Sequence, residues 1–393
     1  MTVIARSNTV EAVDKAPLHL DGWSLFLSRC RSSVAGKLLI FVAGLLFGLG
    51  FVHGEPLRIV VAGDGRADYP WNPTRSCDNG GINETVTKAI SKAVADEHAA
   101  ILLWTGDIVN VNNTNADTLK SGLERWRGIM QPLYSAQVKV WPVRGNHEVY
   151  RYLSKDNRDG EAIPNAAEVW RDVFSGTYAL PTKAPKGEED LSFYSTEGPA
   201  LIIGLDHYGG ADPDPLRRKH SVNQEWLDEV LNQNKKPFTF VYGHEAAFMA
   251  GLHNDDDTLA ANASARNLFW QSLVKAGALY FCGHDHFYDR MSVVRSASPP
   301  GPEVFQITAG TAGAPFYTSA QYAGSALWKL QRAAHFENVY GYVLIEVDGD
   351  RATITFKGRG PSCCEKTGQS VFAPMDQMVC EPAGCKTISC QGP

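Results

Sequence analysis

The stretch Val143-Arg144-Gly145-Asn146-His147-Glu148 follows an apolar run from Val138 to Val143 and places three polar, chemically capable side chains beyond a glycine. This order predicts a buried strand, a tight turn and then a site, because glycine reaches positive φ freely and lets the backbone come close to a bound group. The same order recurs at four other apolar runs, which end in Gly63-Asp64, Gly106-Asp107, Gly243-His244 and Gly283-His284-Asp285-His286. Ligands in α/β folds gather at the carboxyl ends of strands, so we expect one convergent site.

The side chains that follow these runs are of the types that bind borderline or hard divalent ions such as Zn, Mn or Fe. Six candidates are too many for one tetrahedral centre, and they suit a dinuclear site whose ions lie about 3.5 to 4 Å apart and share a carboxylate. A hydroxide held between the ions would be a nucleophile at neutral pH, and His147 would protonate the leaving oxygen or hold the phosphoryl group. The candidate metal ligands are Asp64, Asp107, Asn146, His244, His284 and His286.

The order of predicted elements is typical of an α/β fold. A strand over 57–65 leads to a helix over 83–97, the strand before Asp107 follows, and a helix over 116–133 leads to the strand before Asn146. This β-α-β-α-β pattern predicts a sheet with helical crossovers. The chain contains no internal repeat and no linker between two large cores, so we expect one catalytic domain over 55–358.

Residues 1–54 are expected to be a signal peptide or an uncleaved signal anchor. Arg29, Arg31 and Lys37 precede 38–52, where every side chain is apolar or glycine. That run is shorter than the roughly 20 residues of a comfortable membrane span. Basic residues before it predict that the remainder lies outside the cytoplasm, in the periplasm or secreted, with membrane attachment only through this segment.

Residues 359–393 form a cysteine-rich tail, which we expect to be disulfide-bonded because an exported segment with little core needs cross-links. Cys77 is a plausible partner, whereas Cys282 falls inside a predicted strand and is expected to be simply buried. Six cysteines allow fifteen connectivities, among which the sequence does not choose. The tail cysteines are Cys363, Cys364, Cys380, Cys385 and Cys390.

The net charge of −6 argues against a broad nucleic-acid surface. A small anionic substrate would therefore have to be attracted locally, by bound metal.

The five motifs, in this order, resemble those of the calcineurin-like metallophosphoesterase superfamily, over about residues 57–358. The resemblance implies a four-layer α/β/β/α sandwich of two mixed sheets flanked by helices, and phosphoester hydrolysis at two divalent or trivalent ions (Mn, Zn or Fe). By the same analogy His147 is the catalytic histidine and Asp107 bridges the ions. Asp64 and His286 would serve the first ion, whereas Asn146, His244 and His284 would serve the second.

The chain departs from that family in the first motif. Most members have Asp-x-His, but here Asp64-Gly65 is followed by Arg66. Purple acid phosphatases instead supply a tyrosine three residues after the bridging aspartate, where this chain has Asn110. The first ion is then one ligand short. Arg66 is a candidate for phosphate binding, since its planar fork suits phosphate oxygens, or it forms a structural salt bridge.

His207, after a predicted strand over 201–206, is a second substrate-side candidate, with a satisfied buried histidine as the alternative. The functional prediction is an exported metal-dependent phosphoesterase that hydrolyses phosphomonoesters or phosphodiesters of small molecules. Two alternatives stay open at this level: a nucleotide pyrophosphatase of the same fold, and a non-catalytic envelope binding module.

Overall fold

Two seven-stranded sheets form the centre of the computed structural model, which describes residues 55–68, 81–110, 115–152, 160–209, 220–251, 257–318, 325–360 and 371–388. The expected leader lies outside the described residues. So do four cysteines that the sequence assigned to disulfides, namely Cys77, Cys363, Cys364 and Cys390.

The first sheet combines a parallel half with an antiparallel half, in the order β16-β15-β14-β13-β1-β2-β3. Strands β1, β2 and β3 run parallel, with Ile59 opposite Ile101 and Ile101 opposite Lys139. Strand β13 pairs antiparallel with β1, and each later strand pairs antiparallel with the one before it. The strands are β1 (Leu57–Ala62), β2 (Ile101–Trp104), β3 (Lys139–Pro142), β13 (Tyr340–Asp348), β14 (Arg351–Arg359), β15 (Ala373–Glu381) and β16 (Gly384–Ile388).

The second sheet has the order β12-β10-β11-β9-β8-β7-β6, in which β7, β8, β9 and β11 run parallel. Its strands are β6 (Phe193–Glu197), β7 (Ala200–Gly204), β8 (Phe238–Tyr242), β9 (Leu279–Cys282), β10 (Tyr288–Arg295), β11 (Val304–Ala309) and β12 (Trp328–Phe336). A separate two-stranded ribbon joins β4 (Tyr150–Arg151) to β5 (Glu161–Ala162).

Four of the five described helices begin after an asparagine whose side chain accepts a hydrogen bond from the first turn, and the helix that begins at Ala166 is the exception. The Asn83 side chain accepts from the Val86 N–H, and Asn115 and Thr118 form a reciprocal capping box. The described helices are α1 (Glu84–Asp96), α2 (Ala116–Ser135), α3 (Ala166–Val173), α4 (Gln224–Gln233) and α5 (Ala263–Ala276). Among the described residues, no helix has both the length and the apolar character that crossing a bilayer requires.

Two buried clusters hold these layers together. The larger one contains residues of both sheets, such as Val60 and Phe240, together with apolar residues of α1, α2 and α3. The smaller one joins the second sheet to α4 and α5, for example through Leu227 and Trp270. Two mixed sheets with flanking helices are the predicted fold class, which is thus confirmed.

The C-terminal stretch contains more regular structure than the sequence predicted. Strands β15 and β16 extend the first sheet beyond β14, within the stretch expected to be a cysteine-rich tail with little core. The sulfur atoms of Cys380 and Cys385 lie 2.00 Å apart across the β15–β16 turn. Cys282 is buried in β9, as the sequence predicted.

Candidate metal centre

The site lies where the parallel strands of the two sheets end. In the first sheet, β1 leads to Asp64, β2 to Asp107 and β3 to Asn146; in the second, β8 leads to His244 and β9 to His284. Each of these five side chains is at most 7% exposed. The structure therefore brings together residues that are up to 220 positions apart in the chain, as the His284 N–H donating to Asp64 illustrates.

Three of the predicted ligands occupy the left-handed backbone region, which non-glycine residues rarely adopt. The φ angles are 61° at Asp64, 51° at Asp107 and 71° at His284. Such a conformation costs roughly 1–2 kcal/mol per residue. Strained backbone concentrates at functional sites, and here it occurs at the residues whose side chains converge.

Glycine is required at two turns because the loops pack against one another. A Cβ atom on Gly106, where φ is 92°, would lie 2.6 Å from the Gly145 nitrogen and 2.8 Å from His244 Nδ1. A Cβ atom on Gly145 would lie 2.2 Å from Asp107 Oδ1. These glycines therefore allow neighbouring loops and ligand side chains to pack closely against the backbone.

Three predicted ligands of the second ion point their donor atoms at one another. His244 Nε2 lies 2.9 Å from Asn146 Oδ1 and 3.0 Å from His284 Nδ1, and the latter two atoms are 3.1 Å apart. Asp107 Oδ1 lies 3.3 Å from His244 Nε2 and adds a carboxylate beside this group. We call Asp107, Asn146, His244 and His284 the second-ion quartet.

The remaining polar atoms of the quartet determine which atoms face inward. In the neutral rings, His244 Nδ1–H donates to the Thr105 carbonyl at 2.7 Å and His284 Nε2–H donates to the Asp257 carbonyl at 2.9 Å. A proton on each of those nitrogens leaves a lone pair on His244 Nε2 and on His284 Nδ1. The Asn146 amide nitrogen donates to Tyr152 at 2.8 Å, which turns its oxygen inward as well.

This arrangement fits a metal ion. Lone pairs of two imidazoles and an amide oxygen repel one another at 3 Å unless a cation lies between them. Donor atoms at about 2.0–2.1 Å from a tetrahedral ion are separated by about 3.4 Å, close to the separations in the quartet. In metal sites, a backbone carbonyl commonly accepts the other ring N–H of a ligating histidine and so fixes the orientation of the ring.

A positively charged side chain, Arg66, lies among the predicted ligands of the first ion. Donor atoms of Asp64, Asp107 and His286 lie within 4.8 Å of one another, and all three residues are buried. Arg66 Nε donates to Asp107 Oδ2 at 3.1 Å, and Arg66 Nη2 donates to His286 Nε2 at 3.4 Å. The guanidinium, whose residue is 2% exposed, thus lies among these three side chains.

The two carboxylates of the site differ in their electrostatic environment. Burial, and then the Asp107 carboxylate, raise the pKa of Asp64 well above its usual value, although Arg66 opposes the shift. Burial also acts to raise the pKa of Asp107, but the positive charges that His244 and His147 carry when protonated, together with the Arg66 guanidinium, outweigh it, so the pKa of Asp107 falls below its usual value. Asp107, the predicted bridge, is therefore the carboxylate that stays ionised.

Glu148 holds the ligand loops through hydrogen bonds to their backbone. Its carboxylate accepts hydrogen bonds from the backbone N–H groups of Asp107, Ile108, Val109 and Gly145, at 2.7 to 3.1 Å. Burial and the Asp107 charge raise the pKa of Glu148 to about 8, although these N–H groups oppose the shift. A single carboxylate thus joins the β2 and β3 loops.

His147 faces the same ligand atoms from the β3 loop. Its Nε2 lies 3.8 Å from Asp107 Oδ2, its N–H donates to Asp107 Oδ1 at 3.2 Å, and its ring lies 5.0 Å from the Tyr152 ring. The side chain is therefore beside the cluster without belonging to the second-ion quartet, and its catalytic role stays a prediction.

Neither predicted substrate contact is exposed. Arg66 forms the buried salt bridge that the sequence left open as the alternative. His207 is 0% exposed, and its Nδ1 accepts a hydrogen bond from the Glu245 N–H at 3.0 Å. Burial lowers the pKa of His207 well below its usual value, so its ring is neutral. Both side chains thus contact other protein groups in buried positions, and substrate contact by either residue stays a prediction.

Sequence reasoning gave Tyr317 and Asp257 no role at the site, and it left Tyr152 open between lining the pocket and packing. The Tyr317 ring stacks on His286 with centroids 3.9 Å apart, Tyr152 contacts Asn146, and the Asp257 carbonyl accepts from His284. The aromatic residues around 316–340 were a detectable signal, although nothing in their spacing indicates this position. Asn110, which stands where purple acid phosphatases have tyrosine, donates to the Ala67 carbonyl at 3.4 Å.

Comparisons with known proteins show a family match and a likeness of fold. The family model for calcineurin-like phosphoesterases matches residues 57–288. No curated protein matches the chain at a significant level. The structure is similar to purple acid phosphatase PPD1 from yellow lupin (Lupinus luteus), with a TM-score of 0.55, 15% identity and coverage of 86% of this chain. It is also similar to PhoD, with a TM-score of 0.58, 11% identity, and coverage of 87% of this chain and 73% of PhoD. The chain spans 58% of the length of the lupin protein, and at these identities both likenesses concern the fold.

Proposed function

The chain belongs to the calcineurin-like phosphoesterase family, and from this premise we propose that it is an exported, metal-dependent enzyme that hydrolyses phosphate esters of small molecules. The observation that carries the proposal is the convergence of two imidazole lone pairs, one amide oxygen and one carboxylate in the second-ion quartet. A protein that does not bind metal has no need to bury such a set at the ends of its strands.

A divalent ion bound there would lower the pKa of a water molecule and offset charge on the phosphoryl oxygens. Asp107, Asn146, His244 and His284 would hold it. The chain itself orients this set through the Thr105 and Asp257 carbonyls and through Glu148, so little rearrangement is needed during the reaction. Mn, Zn and Fe all suit these nitrogen and oxygen donors.

His147 would act on the substrate. Its Nε2 faces the ligand atoms from beside Asp107, where it can protonate a leaving oxygen or hydrogen-bond a phosphoryl oxygen. Tyr152 packs against the His147 ring and accepts a hydrogen bond from Asn146. These two contacts limit how far either side chain can turn. Together they place a proton donor next to the site where the phosphoryl group would bind.

Export is the second part of the proposal, and it is supported by the composition of 1–54 and by the Cys380–Cys385 pair, which we propose is a disulfide. Mass mapping of thiols in protein isolated without reductant tests it. We expect Cys380 and Cys385 to be protected from alkylation while Cys282 reacts after unfolding. Free thiols at both positions would contradict the disulfide and weaken the case for export.

The experiment that tests the activity is hydrolysis of bis(p-nitrophenyl) phosphate and p-nitrophenyl phosphate by the full chain, loaded in turn with Mn, Zn and Fe. We expect at least one substrate to turn over well above a chelated blank, and the ratio of the two rates distinguishes a diesterase from a monoesterase. Asn146→Ala is the matched control, since it removes one donor of the quartet and should reduce the rate to that of the blank.

A non-catalytic binding module is the alternative with a specific observation in its favour, because Arg66 fills part of the position expected for the first ion. The same assay separates the two functions. A chain that retains metal but gives rates equal to the chelated blank for both esters, and for a nucleotide pyrophosphate, would support the binding module against the enzyme.

A further inference from the structure

The histidines of the two predicted ion positions differ in what their inward-facing lone pairs contact. In the second-ion quartet, His244 Nε2 and His284 Nδ1 face each other at 3.0 Å, with their ring protons held elsewhere. At the other position, the ring proton of His286 is also held elsewhere, since Nδ1–H donates to the Pro315 carbonyl at 2.5 Å. Its Nε2 lone pair, however, accepts a hydrogen bond from Arg66.

Arg66 satisfies these acceptors with one planar group. Nε binds Asp107 Oδ2 at 3.1 Å and Nη2 lies 3.4 Å from both His286 Nε2 and the Tyr317 hydroxyl. Nη1 donates to the Ala67 carbonyl at 3.1 Å. All three nitrogen atoms of the Arg66 guanidinium therefore donate hydrogen bonds within the protein.

The backbone of Arg66 is held in place as well. Its N–H donates to the Asp107 carbonyl at 3.1 Å, and Arg66 forms a β-bridge with Ile82. A short, fixed backbone directs the side chain inward, toward the Asp107 and His286 side chains. The buried position of the Arg66 guanidinium thus follows from the fixed backbone of its loop.

From these contacts we infer that the protein binds one divalent ion, in the second-ion quartet, and that the guanidinium of Arg66 takes the place of the first ion. The inference rests on the proposed function, because it concerns the metal content of the same site. The site would then hold one metal ion and the positively charged Arg66 side chain, in place of the two metal ions that the family resemblance implies.

Charge supports the same conclusion. Arginine keeps its proton at any physiological pH, so Arg66 is a permanent cation among the ligands. Asp64 and Asp107 are the carboxylates in contact with this region. A dication at the first position would lie beside this buried guanidinium, and the two positive charges would repel each other. The ligand set at the first position therefore does not fit an ion while Arg66 occupies it.

Metal stoichiometry of the full chain is the direct test. After loading with excess Mn and removal of free ion, elemental analysis should give one Mn per chain, and the electron paramagnetic resonance spectrum should be that of an uncoupled ion. Two ions per chain, or an exchange-coupled spectrum, would overturn the inference whether or not any ester is hydrolysed. Failure of the proposed function would instead appear as one bound ion with no turnover.

A pair of variants locates that ion. Asn146→Ala, in the quartet, should lose the ion, whereas Asp64→Asn, at the first position, should keep about one per chain. The Asn side chain preserves an acceptor for the His284 N–H, which keeps the loop contact. Retention in the Asn146 variant together with loss in the Asp64 variant would put the ion at the first position and contradict the inference.

Arg66→His tests the role of the guanidinium. This change removes the permanent cation and supplies an imidazole, so we expect the folded variant to bind a second Mn and to show exchange coupling. Arg66→Lys is the matched control, since it keeps a positive charge and should stay at one ion. Thermal unfolding verifies that both variants are folded, and a folded Arg66→His chain with a single ion would contradict the assignment.

Discussion

His147 is the side chain beside the ligand cluster that is positioned for proton transfer, since its Nε2 lies 3.8 Å from Asp107 Oδ2. We predict that His147→Ala reduces turnover by about 10² to 10⁴, the range typical of a lost general acid. Metal content should not change, because His147 is outside the second-ion quartet. Steady-state rates and elemental analysis of the same preparation check both parts.

His147→Gln is the control, because its amide can still donate a hydrogen bond to a phosphoryl oxygen but cannot titrate. If the histidine acts mainly as a proton donor, the glutamine variant should be nearly as slow as the alanine variant. A wild-type rate in His147→Ala would refute the assigned role.

At the level of elements, the antiparallel extension of the first sheet is tied to the second sheet by a buried ion pair. Asp376 on β15 accepts from Arg290 Nε at 2.7 Å and Nη2 at 2.8 Å, and from the Tyr288 hydroxyl at 2.7 Å. Arg290 and Tyr288 belong to β10, and Arg290 is 0% exposed. The C-terminal strands are thus part of the core and are not an appendage.

Asp376→Ala should therefore lower the free energy of unfolding by about 3–5 kcal/mol, since it leaves the Arg290 charge buried without its partner. Denaturant unfolding monitored by tryptophan fluorescence measures the change. Glu346→Ala is the matched control: it breaks a pair with Arg58 whose side chains are 32% and 35% exposed, and its expected cost is under about 1 kcal/mol. Equal costs for the two variants would contradict the prediction.

At the scale of the whole molecule, the second-ion quartet joins the two sheets. Asp107 and Asn146 follow strands of the first sheet, whereas His244 and His284 follow strands of the second. A bound ion should therefore stabilise the folded chain, by about 2.7 kcal/mol when free metal is 100 times the Kd.

Chelation should accordingly lower the melting temperature of the wild-type protein by several degrees, and readdition of Mn should restore it. Scanning calorimetry with and without chelator measures this shift. Asn146→Ala, which lacks a quartet donor, should melt at the same temperature in both buffers. A wild-type melting temperature that ignores the chelator would argue against an ion that links the sheets.

The sequence predicted the elements that carry clear apolar runs and recognisable turns. The helix expected over 83–97 is present as Glu84–Asp96, and the strand before Asn146 is present as Lys139–Pro142. Strand β12 was missed because most of its residues are only half-buried or exposed, which leaves no alternation to detect. Strands β15 and β16 were missed because their cysteines and polar residues are equally typical of a cross-linked tail.

The sequence by itself determined the fold class, the family and the residue types at the strand ends, because an apolar run, a glycine and a ligand-type residue are all local features. Only the tertiary structure decided which of these side chains lie close enough to share an ion. Asp64, Asp107 and His286 are far apart in the chain, so no local pattern records that the Arg66 guanidinium lies between them. The physical reason is that a hydrogen-bond donor and a metal ion compete for the same lone pairs, and the buried Arg66 guanidinium binds lone pairs of Asp107 and His286 that a metal ion would need.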